Sequence, residues 1–168
     1  MTEVKISDAS LRRAAAEGMD AFVKVFTDGI HEAIGGELNA ENMGGLNADQ
    51  TTLLAYDMLR SEVMDGGFVQ LIHNGYASFF FHNPFGRMMR QWGIGALATL
   101  MNRARKLYGT CRAEIERECT DEEFMALFEQ FPQFDDLDDT FVECEEEWTE
   151  AVARYIDGHV ERFATIIH

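Results

Sequence analysis

Eighteen of the 30 carboxylates in this 168-residue chain fall in its last 58 residues, Cys111 to His168, with only four arginines among them. That segment therefore holds −14 of the chain's formal charge of −16. Like charges at such density repel, so a stable fold must turn them towards water. The sequence meets this demand with helical spacing. Glu143, Glu146, Glu147, Glu150, Asp157 and Glu161 recur on one side of a helical wheel, while Phe141, Trp148, Val152, Tyr155, His159 and Phe163 cluster within about 80° on the other. Arg154 and Arg162 interrupt the acidic side only in part, and Glu145 falls near the apolar side, outside the pattern. Thr140 with Glu143 has the spacing of a reciprocal N-terminal cap and predicts the helix start. Asp135, Asp136, Asp138 and Asp139 would extend the acidic row beyond that start, near the positive end of the helix dipole. From Glu143 to Glu161 the row would run about 27 Å, with neighbours about 6 Å apart, a spacing comparable to phosphates along one DNA strand. A fixed row of anions has an energetic cost that a basic partner would offset.

The remaining totals describe a folded domain rather than an acidic tail. Hydrophobic residues make up 46% and phenylalanine numbers 13, which is enough for a core. Two prolines, Pro84 and Pro132, leave long stretches free to be helical. A pI near 4.5 argues against direct contact with nucleic acid or anionic lipid. Cys111, Cys119 and Cys144 are odd in number and have no metal-knuckle spacing, so reduced thiols in a cytoplasmic protein are expected. The N-terminus mixes charge and apolarity unlike a signal peptide, and no apolar run approaches the roughly 20 residues of a membrane span.

Local signals predict an all-α single domain, residues 1–168, of six or seven helices with a long acidic helix near the C-terminus. Ser7 caps a first helix that runs to about Ile34 and stops at Gly35-Gly36. The glycine-rich stretch Gly35 to Leu46 reads as loop. Asn47 and Gln50 form a reciprocal cap for the next helix, which Asp65-Gly66-Gly67 ends. Phe68 to Phe81 reads as short helix and turn, since nothing nearby offers a strand to pair with Phe79-Phe80-Phe81. Asn83-Pro84 starts a helix through Trp92, and Ile94 or Gly95 starts another to Tyr108. Thr120 with Glu123 caps a helix to about Phe131.

The string Ser61 to Gln70, with Gly66-Gly67-Phe68-x-Gln70 followed by Asn74-Gly75, is the most specific motif in the chain. Looser matches follow at Ile94-Gly95-Ala96, Leu137 to Phe141 and Tyr155 to His159. Over roughly Asn47 to Phe163 the chain resembles the DNA-mimic protein family, a bacterial helical domain. The resemblance implies a compact all-helical fold, often self-associated, so a homodimer is an expectation. It also implies an acidic surface that occupies the DNA-binding face of a transcription factor. The signature residues Gly66, Gly67, Phe68, Gln70 and Asn74 are not the acidic ones, so the charge of this chain must supply that step.

Chemistry-bearing constellations are otherwise sparse. Gly66 and Gly67 suit a helix end, with Phe68 entering the core and Gln70 and Asn74 satisfying loose backbone groups. Gln70 and Asn74, with His73, His82 and Asp65, could alternatively line a small-ligand or catalytic pocket. The five histidines have no metal-ligand spacing, no EF-hand pattern occurs, no cysteine has an activating neighbour in sequence, and no cofactor motif is present. His159 and the cluster Phe79-Phe80-Phe81, Phe85, Met88, Met89 and Trp92 read as core or subunit contact. The expected activity is therefore non-catalytic: the surface Asp135, Asp136, Asp138, Asp139, Glu143, Glu146, Glu147, Glu150, Asp157 and Glu161 would engage a basic DNA-binding protein such as a transcription factor. The alternatives are an antitoxin-like or immunity-like inhibitor of a nuclease, and a ligand-binding protein or enzyme centred on Gln70 and Asn74.

Overall fold

The computed structural model describes residues 1–82, 84–117 and 119–168, and every side chain among them except that of Phe128. Asn83, expected to cap the helix after it, lies outside the described residues. The elements are β1 (Lys5–Ser7), α1 (Asp8–Glu17), α2 (Met19–Ile34), α3 (Ala40–Met43), α4 (Ala48–His73), α5 (Ala77–Phe81), α6 (Phe85–Gln91), α7 (Gly95–Ile115), α8 (Asp121–Gln130), α9 (Asp135–Gly158), α10 (Val160–Phe163) and β2 (Thr165–Ile167). The fold is all-α, with one small parallel pair of strands in the register Lys5 to Thr165. The chain divides into two compact units, one of Met1–Asp57 with Glu146–His168 and one of Met58–Glu145.

In the first unit, the expected Ser7-to-Ile34 helix is two helices. Ser7 caps α1 as anticipated, accepting from the Ser10 amide at 3.1 Å, but Gly18 adopts φ 131° and separates α1 from α2. Gly35, at φ 82°, closes α2. Gly29 lies where a Cβ would meet the Ile6 side chain at 3.1 Å, so β1 packs closely on α2. Asn39 caps the short α3 inside what reads as loop, accepting from the Glu41 and Asn42 amides at 2.9 Å each. The Asn47–Gln50 reciprocal cap forms as expected, at 2.8 and 3.0 Å. Both residues also reach the C-terminal turn: the Asn47 amide donates to the Arg162 carbonyl at 2.7 Å and the Gln50 amide to the Phe163 carbonyl at 3.0 Å. Phe26, Ile30, Leu53, Val152, Ile156 and Phe163 form the core there, and Tyr56 closes it with a hydrogen bond to Thr149 at 2.7 Å.

In the second unit α4 bends at Gly66 (φ −144°) and Gly67 (φ 74°) before running on to His73. Phe79-Phe80-Phe81 is helical, in α5, as expected without a pairing strand. Phe80 packs edge-on against Phe85 at 5.3 Å and Phe81 tilts over Tyr108 at 5.2 Å. With Met89 and Trp92 also buried, this aromatic cluster is mainly core. α6 opens one residue after Pro84, and α7 continues two turns past Tyr108 to Ile115. Thr120 accepts from the Glu123 amide at 3.2 Å, so α8 starts as anticipated.

The start of α9 differs from expectation. It begins at Asp135, directly after a 3-10 turn at Pro132–Phe134, and Thr140 donates to the Asp136 carbonyl at 2.8 Å from inside the helix. Pro132 at the head of that turn supplies the start that the Thr140–Glu143 pair suggested five residues later. The helix ends at Gly158, and Glu161 stands on the separate α10.

Candidate functional site

Beginning at Asp135 changes what α9 presents. Asp135, Asp136 and Asp139 are part of the helix rather than a flanking loop. At 100° per residue they join Glu143, Glu146, Glu147, Glu150 and Asp157 within an arc of about 120°. All eight are exposed, while Leu137, Phe141, Trp148, Val152 and Ile156 are buried on the other side. Between Asp135 and Glu150 seven exposed carboxylates follow one another over about 22 Å, close to the one charge per 3.4 Å of a single DNA strand. Asp135 and Asp136 also lie in the first turn, where the helix dipole favours them. Glu161 is exposed too, but on α10. Among the basic groups, Arg154 pairs with Glu150, and Arg162 turns to Asp49 (3.8 Å) and the Tyr155 hydroxyl (2.9 Å), away from the row.

The two carboxylates that leave the row have identifiable anchors. Glu145, which fits no surface pattern, is buried and bonded to Arg60 at 2.6 Å. Asp138, expected on the partner surface, is turned inward. Its Oδ1 accepts from the Phe68 amide at 2.8 Å, and its carboxylate packs against the α-carbon side of Gly67, where a Cβ would come within 2.4 Å. Gly67 thus makes room for an aspartate from α9 to cap the second half of α4. Burial pushes Asp138 from an ordinary value near 3.8 up to about 6. The Phe68 amide opposes that rise, and the neighbouring charges of Asp135 and Asp139 add to it. The folded state therefore binds this proton more tightly than the unfolded chain. Its contribution to stability grows as pH falls from about 7 towards 4, by about 3 kcal/mol before solvent screening and about 1–2 kcal/mol after it. Asp138→Asn keeps an oxygen for the Phe68 amide and removes the charge. Urea midpoints at pH 7 and pH 4.5 should show the variant more stable than the parent at the higher pH, with the gap closing at the lower. Parallel midpoints at both would exclude Asp138 as the titrating group.

Among the described residues the Gln70 and Asn74 amides bond to carboxylates rather than to loose backbone groups. The Gln70 amide donates to Glu62 at 2.9 Å and Asp65 at 3.0 Å, and the Asn74 amide donates to Glu62 at 2.9 Å. They cross the α4 bend to neutral-clamp two carboxylates, which occupies the amides that a pocket would need. Gly66 lies under Gln70, where a Cβ would meet the Gln70 Oε1 at 1.9 Å. Phe68 is fully buried, as expected. His82 is exposed at the end of α5 and His73 faces elsewhere, so the residues of the alternative catalytic reading do not converge.

His73 has a contact that linear sequence could not reveal. Its Nδ1 donates to the Ile115 carbonyl at 2.9 Å, which leaves Nε2 facing the Cys119 sulfur at 3.8 Å, with the Phe124 ring tilted against it at 4.5 Å. His159 is half-buried on Tyr155 at 4.2 Å and donates from Nδ1 to the Tyr155 carbonyl at 2.8 Å. The three cysteines are free thiols. Among the described residues no group of three or more His, Cys, Asp or Glu could hold a metal ion, and no helix is long and apolar enough to cross a membrane.

Comparison with known proteins identifies relatives of this sequence. Residues 44–159, more than half of the chain, match the family model described as DMP19-like protein. The chain is 35% identical over 127 residues to the DNA mimic protein DMP19 of Neisseria meningitidis serogroup B (strain ATCC BAA-335 / MC58), an alignment that covers 75% of this chain and 77% of that relative. The matched segment contains the α4 bend with its glycine motif and the whole of α9, and on these grounds the chain belongs to the DMP19-like protein family.

Proposed function

We propose that this protein acts by binding alone, presenting the exposed face of α9 to the nucleic-acid-binding surface of a basic protein and thereby competing with DNA. One observation carries the reading: eight exposed carboxylates share an arc of about 120° on one helix, with linear density near that of a DNA strand. The name of the similar meningococcal protein supports it. Carboxylates accept from Arg and Lys much as phosphate oxygens do, so a surface built to grip phosphates can grip this face. The side chains are exposed to solvent, and the charge acts mainly on encounter rate and salt sensitivity. Of the ten residues expected to form the surface, Asp138 is reassigned to the α4 cap. Asp135, Asp136, Asp139, Glu143, Glu146, Glu147, Glu150 and Asp157 form the row, and Glu161 flanks it. A DNA-binding transcription factor is the partner class that this chemistry fits best.

Affinity capture from extract of the source cells tests the reading. A DNA-binding protein should be retained at low salt, lost at high salt, and eluted by added duplex DNA. Retention that neither salt nor DNA disturbs would refute it.

A further inference from the structure

The chain's charge is divided more sharply than its total suggests. From Gly66 to Ala113 there is no aspartate or glutamate at all, while Arg87, Arg90, Arg103, Arg105, Lys106 and Arg112 stand in that span. A protein of net charge −16 thus contains a 48-residue stretch of formal charge +6. Arg112 is committed to Glu116 at 3.0 Å. Arg87, Arg90 and Arg105 have no carboxylate partner among the described residues. They stand together around one cleft of about 370 Å³ beside α5, α6 and α7, within the Met58–Glu145 unit. Its walls add Phe80, Phe81 and Met101, and Asn102 adds an amide.

We infer that this cleft binds a small organic phosphate, a phosphomonoester carrying a flat, partly apolar body. The volume lies at the lower end of the range of roughly 300–1,000 Å³ typical of small-molecule sites. Guanidinium groups offer paired, planar N–H donors that match phosphate oxygens, and three of them around one opening exceed what a single carboxylate would need. The aromatic and methionine edges give the body of the ligand an apolar surface, and the Asn102 amide can both donate and accept at its polar edge. The rest of the molecule repels anions, so the cleft is where the field favours one. This site shares no residue with the acidic face of α9.

Adenosine 5′-monophosphate is a suitable probe, with adenosine and inorganic phosphate as its two halves. Titrated into the full-length protein and followed by ¹H–¹⁵N correlation spectra, the nucleotide should saturate below about 1 mM and shift amides of α6 and α7. Inorganic phosphate should compete with it, and adenosine should bind at least tenfold more weakly. Arg87→Ala, Arg90→Ala and Arg105→Ala should each weaken binding about tenfold, while Arg13→Ala, an exposed arginine on α1, should not. Unchanged helicity by circular dichroism would show that the variants fold. Absence of saturable binding, equal binding of adenosine, or equal loss in Arg13→Ala would overturn the assignment.

Discussion

Replacing Glu143, Glu146, Glu147 and Glu150 together by glutamine is expected to weaken capture of the DNA-binding partner about a hundredfold while leaving the fold intact. The four occupy consecutive turns of α9, all are exposed, and none contributes to the core. An exposed charge pair is worth roughly 0.2–1 kcal/mol, so four lost pairings remove about 2–3 kcal/mol, at 1.4 kcal/mol per tenfold in affinity. The loss should lie mainly in the association rate and should shrink as salt rises, because these charges act through solvent. Stability should move the other way. Glu143 and Glu147, and Glu146 and Glu150, repel at four-residue spacing by about 0.2–0.5 kcal/mol per pair, and relieving them outweighs the exposed Glu150–Arg154 contact. A variant more stable than the parent yet poorer at capture would separate a functional charge row from an incidental one. Unaltered capture would remove α9 from the interface.

Gly67→Ala should be strongly damaging to the second unit, costing about 3–5 kcal/mol and lowering the melting temperature by about 10 °C. Gly67 has φ 74° and ψ −175°, an extended positive-φ region essentially reserved for glycine that costs an L-residue about 1–3 kcal/mol. A Cβ there would also stand 2.4 Å from Asp138 Oδ2 and 2.8 Å from its Cγ. Relieving the clash pushes the carboxylate off the Phe68 amide, and an unsatisfied amide costs about 1–3 kcal/mol more. Two comparisons isolate the cause. Gly75→Ala places alanine at φ 87° with open space around it, so it should cost only the conformational part. Gly67→Ala made in an Asp138→Ala background should be milder than in the parent by about 1–2 kcal/mol. Equal costs in both backgrounds would mean that Asp138 does not set the glycine requirement.

The parts of this architecture that short-range chemistry decides were legible in the sequence. The Asn47–Gln50 cap, the Thr120 cap and the opposition of acidic and apolar sides on the last long helix all follow from spacing of a few residues, and the helical state of Phe79-Phe80-Phe81 follows from the lack of a nearby strand to pair with. The start of α9 is not legible because two signals compete there. Thr140 with Glu143 has the right spacing for a cap, but Pro132 opens a turn that feeds directly into helix, and Thr140 satisfies its hydroxyl within it. Gly18 leaves no mark in the pattern because the apolar period continues across it from Ala15 to Met19, and periodicity does not register a single positive φ. Asp138 could not be distinguished from Asp135, Asp136 and Asp139 by type. Its role depends on Phe68, 70 residues away, and a pairing at that range leaves no local trace. Glu145 gave a warning, since an acid on an apolar face needs a partner, but only the fold identifies Arg60. The acid-free span from Gly66 to Ala113 was visible in composition throughout, hidden behind the total charge.

The decisive measurement is a competition. A fluorescent duplex is bound to the captured DNA-binding protein, and the full-length chain is titrated in while anisotropy and complex size are recorded. Competition for one face predicts complete release of the duplex, no species containing all three molecules, and an inhibition constant that rises steeply with salt. A stable complex that retains the duplex alongside this protein would contradict it.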